Sequence, residues 1–140
     1  MNETIFIASD HAGFDLKKQI TNSMKASFVD LGADSEDSVD YPDYAKILVS
    51  KINSTENSKG ILICGSGIGM SISANRDNNI RAGLAFEPEI AKLMREHNDA
   101  NVLVLPGRFM NIHDALKCIK NFLTTDFEGK RHQDRVNKLS

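Results

Sequence analysis

The 140-residue chain is 41% hydrophobic and 26% charged, with a formal net charge of −2. That is the composition of one globular domain spanning 1–140, without the basic balance that attracts nucleic acid or an anionic membrane and without the ~20-residue apolar stretch of a membrane span. Two cysteines, Cys64 and Cys118, are too few for a disulfide framework; a strand pattern that begins almost at once leaves no room for a signal peptide, so a cytoplasmic protein is expected.

Residues 4–8 open the chain as a continuous apolar run, and a helical stretch follows over 13–25. A second β-prone segment, 27–31, leads into 32–40, where Gly, Ser and Asp predict a surface loop. Pro42 suits the first turn of a helix over 42–52. The third strand, 60–64, ends at Cys64 where glycines begin, and a helix over 67–76 starts on the Gly67 or Gly69 amides. A fourth strand over 80–84 precedes a helix over 88–97 with Pro88 in its first turn. Strand 101–105 and helices over 111–123 and 130–138 complete the chain. Several of these strands are continuously apolar, the pattern of burial on both faces. Strands alternating with helices predict right-handed crossovers and an α/β fold, a parallel sheet covered on both sides.

In such sheets ligands bind beyond the carboxyl ends of strands, where the strand order reverses. The first strand ends in Ser9-Asp-His-Ala-Gly13 and the third in Cys64-Gly-Ser-Gly67. If these strands are neighbours, Asp10 and His11 face Cys64 across one crevice. A thiol beside a helix start and a nest of backbone amides is placed to act as a thiolate next to an oxyanion-stabilising cradle. The competing reading of Cys64 is a small buried hydrophobe, which is also the reading of Cys118 within its apolar helix. The glycines are explained equally by a tight turn, and Met70 stands where a dinucleotide fingerprint wants its third glycine, so a nicotinamide site is the weaker alternative.

His97 and Asn98 end a helix just before the fifth strand, where both residue types favour a C-cap. They lie at the amino end of a strand while Cys64 lies at a carboxyl end, roughly 17 Å away for a five-residue strand. A catalytic His97 would therefore reach the Cys64 of a second subunit, which predicts a dimer with shared sites. Arg131 and Arg135, four apart, project from one helix face with His132 beside them, and Arg108 follows the fifth strand. Such planar donors suit a phosphate, although each arginine alone would also complement a helix dipole. His113 reads as a surface residue.

Asp10-His-Ala-Gly-Phe14, Asp40-Tyr-Pro-Asp-Tyr-Ala45, Ile61 through Gly69, Ala74-Asn-Arg76, His97-Asn-Asp-Ala-Asn101 and Gly129-Lys-Arg-His-Gln-Asp-Arg135 together resemble the type B ribose-5-phosphate isomerase family. That family also holds galactose-6-phosphate and allose-6-phosphate isomerases. The resemblance runs from the first strand to the last helix. It implies a five-stranded parallel α/β/α sandwich with strands two, one and three adjacent, associating as dimers or tetramers. It implies a metal-free, cofactor-free aldose–ketose isomerase that interconverts ribose 5-phosphate and ribulose 5-phosphate through an enediolate.

By the same resemblance Cys64 is the base and Ser66 hydrogen-bonds its thiolate. Backbone amides of Gly65, Ser66, Gly67, Ile68 and Gly69 hold the enediolate oxygens. His97, with Asp10 nearby, opens the sugar ring; Asn98 orients the sugar, and Tyr41 lines the pocket. His11, Arg108, Arg131 and Arg135 bind the phosphate, the last two from the C-terminal helix. A branch that uses glutamate as base places it just beyond the glycine turn, where residues 70–74 have no carboxylate. A six-carbon substrate, or a catalytically silent phosphate- or nucleotide-binding module, are the alternative readings.

Overall fold

A computed structural model describes residues 2–24 and 26–139. Five strands alternate with helices as the sequence predicts: β1 (Thr4–Ser9), α1 (Phe14–Ser23), β2 (Phe28–Asp30), α2 (Tyr41–Asn53), β3 (Ser58–Cys64), α3 (Ile68–Ala74), β4 (Ala82–Leu84), α4 (Pro88–Asn98) and β5 (Val102–Pro106). Two further helices, α5 (Ile112–Thr124) and α6 (Arg131–Asn137), close the chain. The first helix, expected to run to Lys25, stops at Ser23, and Lys25 lies outside the described residues. Pro42 and Pro88 occupy first-turn positions, where the missing N–H costs nothing. The side chain of Asn111 caps α5 by accepting from the Asp114 N–H at 2.8 Å.

All strand pairs are parallel and the order is β2-β1-β3-β5-β4. Strands two, one and three are thus adjacent, and the chain reverses its winding between β1 and β3. The pleat divides the core into two halves. Ile5, Ile7, Ile61, Ile63, Leu103 and Leu105 face α1, α4 and α5 through Leu16, Ile20, Met94, Ile119 and Phe122. Phe6, Ala8, Leu62, Cys64, Val102 and Val104 face α2 and α3 through Ala45, Leu48, Met70 and Ala74. Each fully buried aliphatic side chain contributes about 1.5–3 kcal/mol. Burial on both faces of β1, β3 and β5 explains why their sequences show no alternation.

The two edge strands are shorter than expected. Beside β4, the Ala82 N–H donates to Asn75 Oδ1 at 2.8 Å, and Asn75 Nδ2 donates to the Ala82 carbonyl at 3.0 Å. One amide side chain thus takes the place of a neighbouring strand and satisfies the open edge.

Candidate active site

The loops after β1, β3 and β5 converge beyond the carboxyl edge of the sheet. The Asp10 N–H donates to the Ile63 carbonyl at 3.2 Å, and Asp10 Oδ1, 5% exposed, accepts from the Gly13 N–H at 3.0 Å. A Cβ at Gly13 would lie 2.4 Å from the Ile63 carbonyl oxygen, so only glycine lets the first loop approach β3 this closely. The Cys64 carbonyl accepts from Gly107 N–H at 2.8 Å and that of Gly65 from Arg108 N–H at 2.9 Å, which ties the third loop to the second. The Arg108 side chain lies over Gly65, where an added Cβ would stand 3.3 Å from Nη1.

Within this rim Cys64 is buried at the last position of β3, and Gly67 turns the chain at φ +80° to start α3. Ser66 Oγ accepts from the Ile68 N–H at 3.3 Å rather than bonding Cys64, and its own O–H stays available as a donor. The Tyr41 ring covers the backbone of Gly69, where a Cβ would lie 2.6 Å from the ring. His11 Nδ1 accepts from the Val39 N–H at 3.1 Å, so the neutral imidazole carries its proton on Nε2 and presents a donor. The sequence-predicted Asp10, His11, Tyr41, Cys64, Gly65, Ser66, Gly67, Ile68, Gly69 and Arg108 are therefore gathered at one rim.

The remaining predicted residues gather elsewhere. His97 and Asn98 are the last residues of α4; the C-cap is not this pair but Asp99, at φ 48°. His97 instead stacks on His132 of α6, with ring centroids 4.4 Å apart and planes 17° apart. With Arg135, the three residues line a 260 Å³ hollow, and Arg131 and Arg135 are exposed. The β3–β5 register sets Gly60 against Val102 and Cys64 against Pro106. Four rises of about 3.3 Å thus separate Cys64 from the level where β5 begins, and His97 lies beyond that level. Asp10 is grouped with Cys64 and not, within one chain, with His97. A larger cavity of 410 Å³ runs along β4 and includes Asn98, Gly83 and Val136 but none of the rim residues.

His132, which the sequence sets beside Arg131 and Arg135 without a role of its own, is 5% exposed although it lies between two exposed arginines. Burial, followed by the charges of Arg131 and His97, pushes its pKa down. The four-residue spacing of Glu128 and His132 brings their side chains to 3.6 Å. Cys118 is fully buried on the other face of the sheet; desolvation, then Asp114 and Glu87, raise its pKa to about 11.

A family profile described as Ribose/Galactose Isomerase matches residues 5–139. The chain belongs to that family. It is an isomerase by this membership, and the resemblance read from its motifs holds. The ribose 5-phosphate isomerase of Thermotoga maritima superimposes with a TM-score of 0.95 at 48% identity, covering 99% of this chain and 98% of that one. The ribose-5-phosphate isomerase B of Mycoplasma genitalium with bound ribulose-5-phosphate gives a TM-score of 0.91 at 40% identity, covering 99% and 95%. Ribose-5-phosphate isomerase B of Escherichia coli is 38% identical, over 97% of this chain and 93% of its own. Among the described residues no helix is long and apolar enough to cross a membrane.

The pair of cysteines makes a chemical test of the site possible. Only a thiolate alkylates readily, and at neutral pH Cys118 is a buried thiol. Iodoacetamide is expected to inactivate this isomerase in step with labelling of Cys64, and saturating sugar phosphate to slow both. Peptide mapping that found the label mainly on Cys118 would contradict a reactive Cys64.

Proposed function

We propose that this isomerase interconverts D-ribose 5-phosphate and D-ribulose 5-phosphate, with each active site completed by two subunits. The observation that carries the reading is Cys64 at the switch point, under the glycine turn, with the Arg108 guanidinium and His11 Nε2–H at the same rim. The ribulose-5-phosphate bound to the Mycoplasma genitalium relative supports a five-carbon substrate.

In this reading His97 gives a proton to the ring oxygen as the C1–O bond breaks, and the C1 hydroxyl gives its proton to water to leave the open aldehyde. The Cys64 thiolate removes the C2 proton, and the electron pair moves onto the C1 carbonyl oxygen to form the enediolate. Amides of the glycine turn hold its oxygens, each well-placed donor contributing about 3 kcal/mol. The C2 hydroxyl proton passes to the C1 oxygen, and Cys64 returns its proton to C1 as the C2–O electron pair forms the carbonyl, which completes the ketose. The Ser66 hydroxyl donates to the thiolate, Asn98 orients the sugar and Tyr41 walls the pocket. Arg108 and His11 of one subunit, with Arg131 and Arg135 of the other, bind the phosphate. The exposed Ile68 and Ile72 on α3 and Phe109 beside Arg108 supply apolar surface for a second copy to cover.

The test is a panel of ribose 5-phosphate, allose 6-phosphate and galactose 6-phosphate on the purified protein. Ribose 5-phosphate is expected to be preferred by at least about tenfold in kcat/KM, a difference of about 1.4 kcal/mol in transition-state binding. A six-carbon preference would replace the substrate while keeping the chemistry. No turnover of any of the three would overturn the proposed substrate.

A further inference from the structure

His132 is an unusual residue to find buried in a seven-residue helix whose neighbours are exposed arginines. Among the described residues its Nε2 has no hydrogen-bond partner, and it lies 3.6 Å from Glu128 Oε1. An apolar side chain would fill the same space without that desolvation cost. What the imidazole obtains is a flat contact with His97. That contact is held by hydrogen bonds around it: Arg95 Nε donates to the Thr125 carbonyl at 3.1 Å, and the Glu128 N–H donates to the Glu96 carbonyl at 3.1 Å. The segment leading into α6 is thereby fastened along α4 just before His97.

We propose that His132 is a positioning residue, whose ring face holds the His97 imidazole in the orientation that delivers a proton to the sugar. The proposal rests on the reading of His97 as the ring-opening group. The groups facing His132 are Arg131 and Arg135 on its own helix, His97 on α4 and Glu128 on the preceding segment; only Glu128 favours a charged imidazole. His132 therefore stays neutral, and its π-face accepts a protonated His97 where a second cation would repel it. The ligand atoms of His97, Glu128 and His132 also lie within 4.8 Å of one another. Nearly parallel rings, however, run their lone pairs side by side instead of converging them as a tetrahedral metal requires.

The test compares ribose 5-phosphate turnover with solvent-deuterium exchange into ribulose 5-phosphate, which needs no ring opening. His97→Asn is the reference and is expected to depress turnover far more than exchange. His132→Ala is expected to lower turnover about tenfold with exchange kept within about twofold, and to cost nothing further in the His97→Asn background. His132→Phe, which keeps a flat ring, is expected to retain at least about half of wild-type turnover. It also carries the test if the alanine variant misfolds, as judged by circular dichroism. Exchange falling in step with turnover, full additivity with His97→Asn, or a phenylalanine variant more than about tenfold impaired would each overturn the positioning role. If His97→Asn itself lowers turnover and exchange equally, the ring-opening assignment fails, and the proposal with it.

Discussion

Replacing Cys64 by alanine is expected to lower isomerisation by about three orders of magnitude while sugar phosphate still binds, because a positioned base contributes about 10²–10⁴-fold. The proposed phosphate ligands at this rim, Arg108 and His11, are held by contacts that do not involve the thiol: Arg108 N–H to the Gly65 carbonyl, and Val39 N–H to His11 Nδ1. Calorimetric Kd for ribose 5-phosphate should therefore stay within about threefold of wild type, the signature of a group used only in the transition state. Solvent deuterium should no longer enter C2 of the aldose or C1 of the ketose. The lost sulfur leaves a small void between β3 and α3, with a stability cost of about 1 kcal/mol that thermal unfolding would register separately. Near-normal turnover in a folded variant would return Cys64 to the status of Cys118, a piece of core.

Mixing two inactive proteins, Cys64→Ala and His97→Asn, is expected to restore activity. The two residues lie at opposite ends of β3 and β5 within one chain, so the proposed site draws them from different chains. A hybrid dimer then holds one site with both native groups and one with neither. Random reassortment makes roughly half of all dimers hybrids, so about a quarter of wild-type activity is the ceiling under two-fold symmetry. The control is the two proteins each cross-linked before mixing, which should stay inactive. Verified subunit exchange without recovery would mean that both residues serve one chain, and the shared-site reading would be abandoned.

The parts of the molecule that were legible in the sequence are those decided locally. Continuous apolar runs over β1, β3 and β5 announced strands buried on both faces, and the glycines after Cys64 announced where β3 must end. The prolines placed the starts of α2 and α4 because a fixed φ and a missing N–H suit only a first turn. Less legible were ends settled by particular side-chain hydrogen bonds. The helix α4 closes on Asp99 rather than on His97 and Asn98, because Asp99 Oδ1 accepts from Arg95 at 2.9 Å and its carbonyl from Arg81 at 2.8 Å. Strand β4 is cut short at an edge where the side chain of Asn75 replaces a neighbour.

Lys17 shows the same limit in another form. A lysine on an amphipathic helix reads as exposed, yet it is 2% exposed, with Nζ donating to Asp30 Oδ1 at 2.7 Å and the Ala33 carbonyl at 2.6 Å. Nothing within its own helix foretells those acceptors.

The candidate site divides along the same line. Residue types and their places on strand ends, Cys64 before glycines and Asp10-His11 after a strand, follow from the chain itself, because a strand and the turn that ends it are adjacent in sequence. The strand order that makes β1 and β3 neighbours, the seating of Arg108 over Gly65 and the burial of His132 against His97 were decided only by tertiary packing. Each joins segments tens of residues apart, and such contacts depend on the register and crossing of whole elements, which no local pattern of hydrophobicity encodes.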